Sequence, residues 1–148
     1  MPIIVRHVRV KDLPALEHLE ADTVKRFPAR QGWLETYAKL MQRSLDEEPE
    51  GLLVAEVDGH VVGGAIVRQR GPHPVNGHHH GQLYALTVSP AWRTHGVAQR
   101  LLKEAEAYLK SRGCTSLHVN VPTDAGDDTE LFKAAGYHVG GWELLRPL

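Results

Sequence analysis

Val88-Ser89-Pro90-Ala91-Trp92-Arg93-Thr94-His95-Gly96-Val97-Ala98 takes the chain out of an apolar run, through a turn bearing Pro and Gly, and into a segment of helical period. Before it, residues 83–88 (Leu-Tyr-Ala-Leu-Thr-Val) read as a strand that Ser89-Pro90 ends. After it, Val97, Leu101, Leu102, Ala105, Tyr108 and Leu109 form one apolar stripe. Arg100, Lys103, Glu104, Glu106 and Lys110 occupy the other side, so a long amphipathic helix follows, and Arg112-Gly113 closes it as Gly does at C′. The first turn of a helix carries orphan N–H donors and a partial positive charge, which together suit an anion. Gly96 and Ala98 are small enough to let a phosphate reach the backbone; the plainer alternative is that Gly96 only eases a tight strand-to-helix turn.

Upstream, residues 3–10 alternate apolar and polar side chains, the period of a first strand. Leu13, Leu16 and Leu19 then recur at helical spacing, with Asp12 placed to cap and Pro14 in the first turn. Phe27-Pro28 and Gly32 interrupt the pattern. A second helix runs through Trp33, Tyr37, Leu40, Met41 and Ser44 and leaves through Asp46-Glu47-Glu48-Pro49. Residues 52–57 and 60–67 flank Asp58-Gly59 as a β-hairpin, and a loop rich in Gly, Pro and His spans residues 71–81.

Downstream, residues 117–121 read as a strand and residues 129–135 as a short helix stopped by Gly136. Residues 137–139 and 142–145 read as closing strands around Gly140-Gly141. At 148 residues with no long linker, one domain over residues 1–148 is expected. A net charge of −1, with 42% apolar and 24% charged residues, leaves no positive field for nucleic acid. No apolar run approaches the ~20 residues of a membrane span, so no membrane partner and a cytoplasmic location are expected. Cys114 is the only cysteine, which excludes an internal disulfide and a Cys-based zinc site; a buried, inert setting is expected for it.

Arg93-x-x-Gly96-x-Ala98, preceded by Val88-x-Pro90 and Trp92, resembles the acetyl-CoA loop of the GNAT superfamily of N-acetyltransferases. Residues 53–63 resemble that family's second and third strands, and residues 130–137 its late helix-to-strand signature. The resemblance covers nearly the whole chain. It implies an α/β (α+β) fold: a mixed, mostly antiparallel sheet of about six to seven strands, splayed at the cofactor site between residues 83–88 and 117–121 and flanked by about four helices. It implies that acetyl-CoA is held by Leu86, Thr87 and Val88 along the strand. Arg93, Thr94, His95, Gly96, Val97 and Ala98 would hold its pyrophosphate, and Phe132 would lie near its sulfur. Arg100 and Lys103 either meet the terminal phosphate or solvate the helix. No metal is required, and the family's habits allow a homodimer.

Acyl transfer from a thioester to an amine needs a neutral amine, a stabilised oxyanion and a protonated leaving thiolate. By the resemblance, the positions of a glutamate base hold Gln82 and Asn120, and that of a tyrosine acid holds Phe132. None of these can move a proton. A lysine amine of pKa about 10.4 gives up roughly 4.6 kcal/mol to be neutral at pH 7, whereas an α-amine near 8 gives up about 1.4. The reading is therefore an N-acetyltransferase acting directly on a small amine or α-amino group in a ternary complex. The alternatives are an acetyl-CoA-binding sensor with little turnover, or a protein lysine or N-terminal acetyltransferase. Tyr84 is the candidate catalytic side chain, or else a ring packed on the helix of residues 96–112. His78, His79 and His80 precede it and, with His73, form a proton relay, a metal-collecting loop or a solvated loop. Phe27, Trp33 and Tyr37 either shape the acceptor pocket or belong to the core.

Overall fold

The computed structural model describes residues 2–26, 30, 32–122 and 126–148, without the side chains of residues 126–128. Its elements are β1 (Ile4–His7), α1 (Leu13–Lys25), α2 (Trp33–Glu47), β2 (Leu52–Val57), β3 (His60–Pro72), β4 (His79–Val88), α3 (Val97–Ser111), β5 (Leu117–Val119) and α4 (Gly126–Ala134). The strands form one sheet in the order β1-β2-β3-β4-β5. The first four pair antiparallel, and β5 joins β4 in parallel.

Two apolar layers clamp this sheet. On one face Val97, Leu101, Leu102, Ala105 and Leu109 of α3 pack with Leu53, Ala55, Val67 and Leu83. On the other, Leu16 of α1 and Tyr37 and Met41 of α2 pack with Leu52, Val54, Ile66 and Ala85. The α3 stripe repeats at three- and four-residue steps and leaves water almost completely, each Leu contributing about 1.5–3 kcal/mol. The helix ends as expected at Gly113, whose φ is 82°. There the Cys114 N–H donates to Leu109 O and the Gly113 N–H to Lys110 O, the paired bonds of a Schellman motif. The Asp58-Gly59 turn takes φ values of 50° and 79°, the left-handed pair that a two-residue hairpin needs.

Three local expectations are corrected. Asp12 does not cap α1: its carboxylate receives the Arg6 guanidinium at 2.8 and 3.0 Å and the Arg9 N–H at 2.7 Å. The Arg6 hydrogen bonds hold its pKa below the ordinary carboxylate value. The first strand stops at His7, because the chain turns into a 3-10 segment at Val10–Asp12. The closing strands expected at residues 137–139 and 142–145 do not form, and the sheet has five strands among the described residues. A strand exists only within a ladder. β5 offers three paired residues, and Gly140-Gly141 makes ordering the segment costly in entropy. Val139, Trp142, Leu144, Leu145 and Leu148 stand exposed.

Candidate active site

The β4–β5 pairing decides where a ligand fits. It holds Gly81, Gln82 and Leu83 against Leu117, His118 and Val119, and stops there. β4 runs on to Val88, and among the described residues no strand pairs with it on that side. The free groups on this open edge follow from register. The Ser89 N–H donates to Val62 O at 2.7 Å, so Ser89 faces β3. By the period of two, Thr87 and Ala85 face β3 as well, and the N–H and C=O of Leu86 and Val88 face the opening. Leu86 and Val88 are thus the residues whose main chain is turned to the opening. Thr87 instead turns its side chain to the other face, where its hydroxyl donates to Glu20.

At the end of this edge the chain enters α3. Gly96 is its N-cap, with φ 77°, and no side chain caps the helix. The first bond runs from the Arg100 N–H to Gly96 O at 3.1 Å, so the four preceding N–H groups have no helical acceptor. A Cβ built on Gly96 would meet nothing within 4 Å, so the space beside Gly96 itself is open. Beside it lies a cavity of about 540 Å³ lined by His95, Gly96, Gln99, Arg100 and Lys103 among others. Arg100 and Lys103 thus both line a cleft at the helix start. Val97 is fully buried, so it offers only its backbone; Arg93, Thr94 and His95 are exposed around the turn, with His95 leaning on Trp92. Extended backbone groups, a cluster of free N–H donors and two cations fit a long ligand with a phosphate head.

Phe132 packs in the α3-side core, edge-on to Tyr137. The Tyr137 hydroxyl beside it donates to Glu106 Oε2 at 2.7 Å and is committed to α3. Burial raises its pKa further. Cys114 is half-buried at the far end of α3, and desolvation raises its thiol pKa.

Tyr84 is not packed on α3. A register shift opposite Ile66/Val67 makes it the extra residue of a β-bulge, so Tyr84 and Ala85 both belong to the α1–α2 face although they are consecutive. The bulge sits where β4 and β5 part. Tyr84, Arg30, Gly32, Trp33 and Thr36 line a cavity of about 450 Å³ between β4 and the start of α2. Arg70 Nη1 reaches the Tyr84 hydroxyl at 3.4 Å. Trp33 both lines this cavity and packs against the core, whereas Tyr37 is core and Phe27 lies outside the described residues.

Beneath the cavity Glu20, 2% exposed, accepts from Thr87 Oγ1 at 2.5 Å. Burial raises its pKa, against the opposing pull of Thr87, Arg30 and the Trp33 indole. The indole Nε1–H is itself buried and makes no hydrogen bond of ordinary geometry. Sequence reasoning missed Glu20, whose helical spacing was indistinguishable from a solvated acid.

The histidines separate. His78 and His79 are exposed, while His80 is buried and stacks into a cluster with His73 and His118, ring centroids 4.7–5.0 Å apart. Burial, then the neighbouring imidazoles of His80 and His73, lowers the His118 pKa. Among the described residues no three His, Cys, Asp or Glu side chains are arranged to hold a metal ion. His118 sits beside Gln82 in register, so an imidazole neighbours one vacant base position, while Asn120 lies exposed just past β5.

Among the described residues the edge of β4 left open by β5 runs into an uncapped helix start. The model of the acetyltransferase (GNAT) family matches residues 12–137, and the chain belongs to that family. An acetyltransferase of Pectobacterium atrosepticum is 36% identical over 84 residues, 57% of this chain and 55% of that protein. One of Yersinia pestis is 37% identical over 97 residues, 66% of this chain and 64% of that one. The chain thus matches between half and two thirds of the length of these relatives. Among solved structures, an aminoglycoside N-acetyltransferase in complex with CoA superposes with TM-score 0.81 at 16% identity, over 99% of this chain and 95% of that one. A ribosomal-protein-alanine N-acetyltransferase of Brucella melitensis superposes with TM-score 0.75 at 20% identity, over 99% of each. At these identities the likeness is one of fold. It bears out the mixed sheet flanked by four helices. No helix among the described residues is long and apolar enough to cross a membrane.

Proposed function

We propose that the protein transfers the acetyl group of acetyl-CoA to a primary amine, a small amine or an α-amino group, by direct attack in a ternary complex. The observation that carries this is the open edge of β4 at Leu86 and Val88, leading straight to the free N–H groups at the start of α3. Leu86, Thr87 and Val88 hold the pantetheine as an added strand does, through the main chain of the first and last. Arg93, Thr94, His95, Gly96, Val97 and Ala98 form the pyrophosphate turn. Phe132 supplies an apolar wall without a proton.

The neutral amine nitrogen attacks the thioester carbonyl carbon, and a Leu86–Val88 backbone N–H stabilises the oxyanion. The C–S bond then breaks, the nitrogen loses one proton, and the thiolate gains one. The products are the N-acetyl amide and CoA. With Gln82, Asn120 and Phe132 unable to exchange protons, we place Tyr84 at the reacting atoms, as the hydroxyl on the acceptor-side wall. The same vacancies favour a second reading, a CoA-binding sensor. Thiol release from acetyl-CoA, followed from pH 6 to 9 with a panel of amines, separates the two. Turnover rising with the free-amine fraction supports the enzyme; tight CoA binding with no turnover on any amine supports the sensor.

A further inference from the structure

We infer that the acceptor is a primary amine that also bears a carboxylate, an α-amino acid or a compound of that shape, with Arg30 as its carboxylate partner. This rests on the acetyl-transfer reading above and names the substrate class of that site.

The wall of the 450 Å³ cavity holds one charged side chain, Arg30, beside the apolar surfaces of Trp33 and Tyr84. Arg70 adds a second guanidinium at the Tyr84 hydroxyl. Among the described residues neither arginine has a carboxylate within ion-pair distance, unlike Arg6 and Arg68, which are both paired. Glu20, buried behind Trp33, feels the Arg30 charge but forms no ion pair with it and accepts from Thr87. Among the described residues the cavity lining offers an acceptor with several positive charges the Arg30 guanidinium and no carboxylate, with Arg70 adjoining at Tyr84. Like charges repel, so this wall opposes polyamines and aminoglycosides even though an aminoglycoside N-acetyltransferase shares the fold.

A carboxylate is the natural complement, since a guanidinium offers paired donors to it. The same cations serve the chemistry. A nearby positive charge disfavours the ammonium form and lowers the amine pKa, which supplies part of what the absent base would have done. The aromatic walls then suit an apolar side chain.

The test compares phenylalanine, its carboxamide and phenethylamine as acceptors at pH 7, with neamine and spermidine alongside. Intrinsic reactivity favours the carboxamide, whose amine is the least basic, so a preference for the carboxylate has to come from recognition. The expected result is a kcat/KM for phenylalanine at least about 10-fold above the carboxamide's, with the ratio falling toward one in Arg30→Gln. Equal or greater activity with the carboxamide, phenethylamine or the polycations overturns the inference while leaving acetyl transfer intact. A ratio that survives Arg30→Gln overturns the role of Arg30. Binding is read separately by calorimetry on the protein saturated with CoA. If no amine turns over, a carboxylate-selective heat of binding that Arg30→Gln abolishes still supports the pocket assignment, and its absence overturns it.

Discussion

Thr87 on β4 and Glu20 on α1 are joined by a hydroxyl-to-carboxyl hydrogen bond of 2.5 Å, buried beneath the acceptor-side cavity. The bond fixes the strand edge against the helix that roofs the opposite face, and its position predicts a stability effect. Thr87→Val leaves the buried carboxyl without its donor and should cost about 1–3 kcal/mol. A thermal melt checks this, and an unchanged midpoint would deny the bond any structural weight.

The same pair sets a pH dependence. Burial raises the Glu20 pKa above its unfolded value, so the native state holds the proton more tightly than the unfolded chain. Stability associated with this group is therefore greatest below the unfolded pKa and declines as pH rises through the folded one. Glu20→Gln keeps an acceptor for Thr87 and removes the titration. Its stability relative to wild type should improve from pH 4 to pH 7; denaturant midpoints across that range decide the sign.

Gly96 has φ 77° with clear space where a Cβ would stand. Gly96→Ala should lose only about 1–2 kcal/mol of stability from the left-handed conformation. Its CoA dissociation constant should rise at least about 10-fold, because the added methyl fills the phosphate's approach. Calorimetric titration beside a melt distinguishes this from Gly96 acting only in the turn, which would leave affinity unaltered.

Arg100 and Lys103 line the cleft beside that turn. Exposed charges contribute about 0.2–1 kcal/mol each, so Arg100→Gln and Lys103→Gln should each weaken CoA binding by no more than about 5-fold. Raising salt should erase the difference. Affinity indifferent to both substitutions would assign these side chains to helix solvation.

Tyr84→Phe should lower kcat about 100-fold without altering CoA affinity if the hydroxyl exchanges a proton at the reacting atoms. An unchanged kcat would reduce Tyr84 to a wall of the pocket.

Local chemistry was readable in the sequence wherever one residue type determines one conformation. Asp58-Gly59 and Gly113 adopt the left-handed geometry of the hairpin turn and helix end read from them. What depends on pairing was not readable. The alternation along residues 83–88 gives no sign that Tyr84 is a bulge residue, because the extra residue is defined only against β3. His118 joins His73 and His80 only because β5 lies beside β4. Asp12 looked like a cap from its position before α1, yet the stronger charge-assisted bonds from Arg6 claimed it. Residues 142–145 have strand-like composition, but no ladder receives them.

We propose that acetyl-CoA lies along the open edge of β4 with its pyrophosphate on the start of α3. Amide hydrogen exchange with and without acetyl-CoA tests it residue by residue. The prediction is at least about 10-fold slower exchange at Leu86, Val88, Gly96, Val97 and Ala98, with little change at Ala85 and Thr87, whose N–H groups already face β3. Protection confined to other segments, or equal at Thr87 and Leu86, would contradict it.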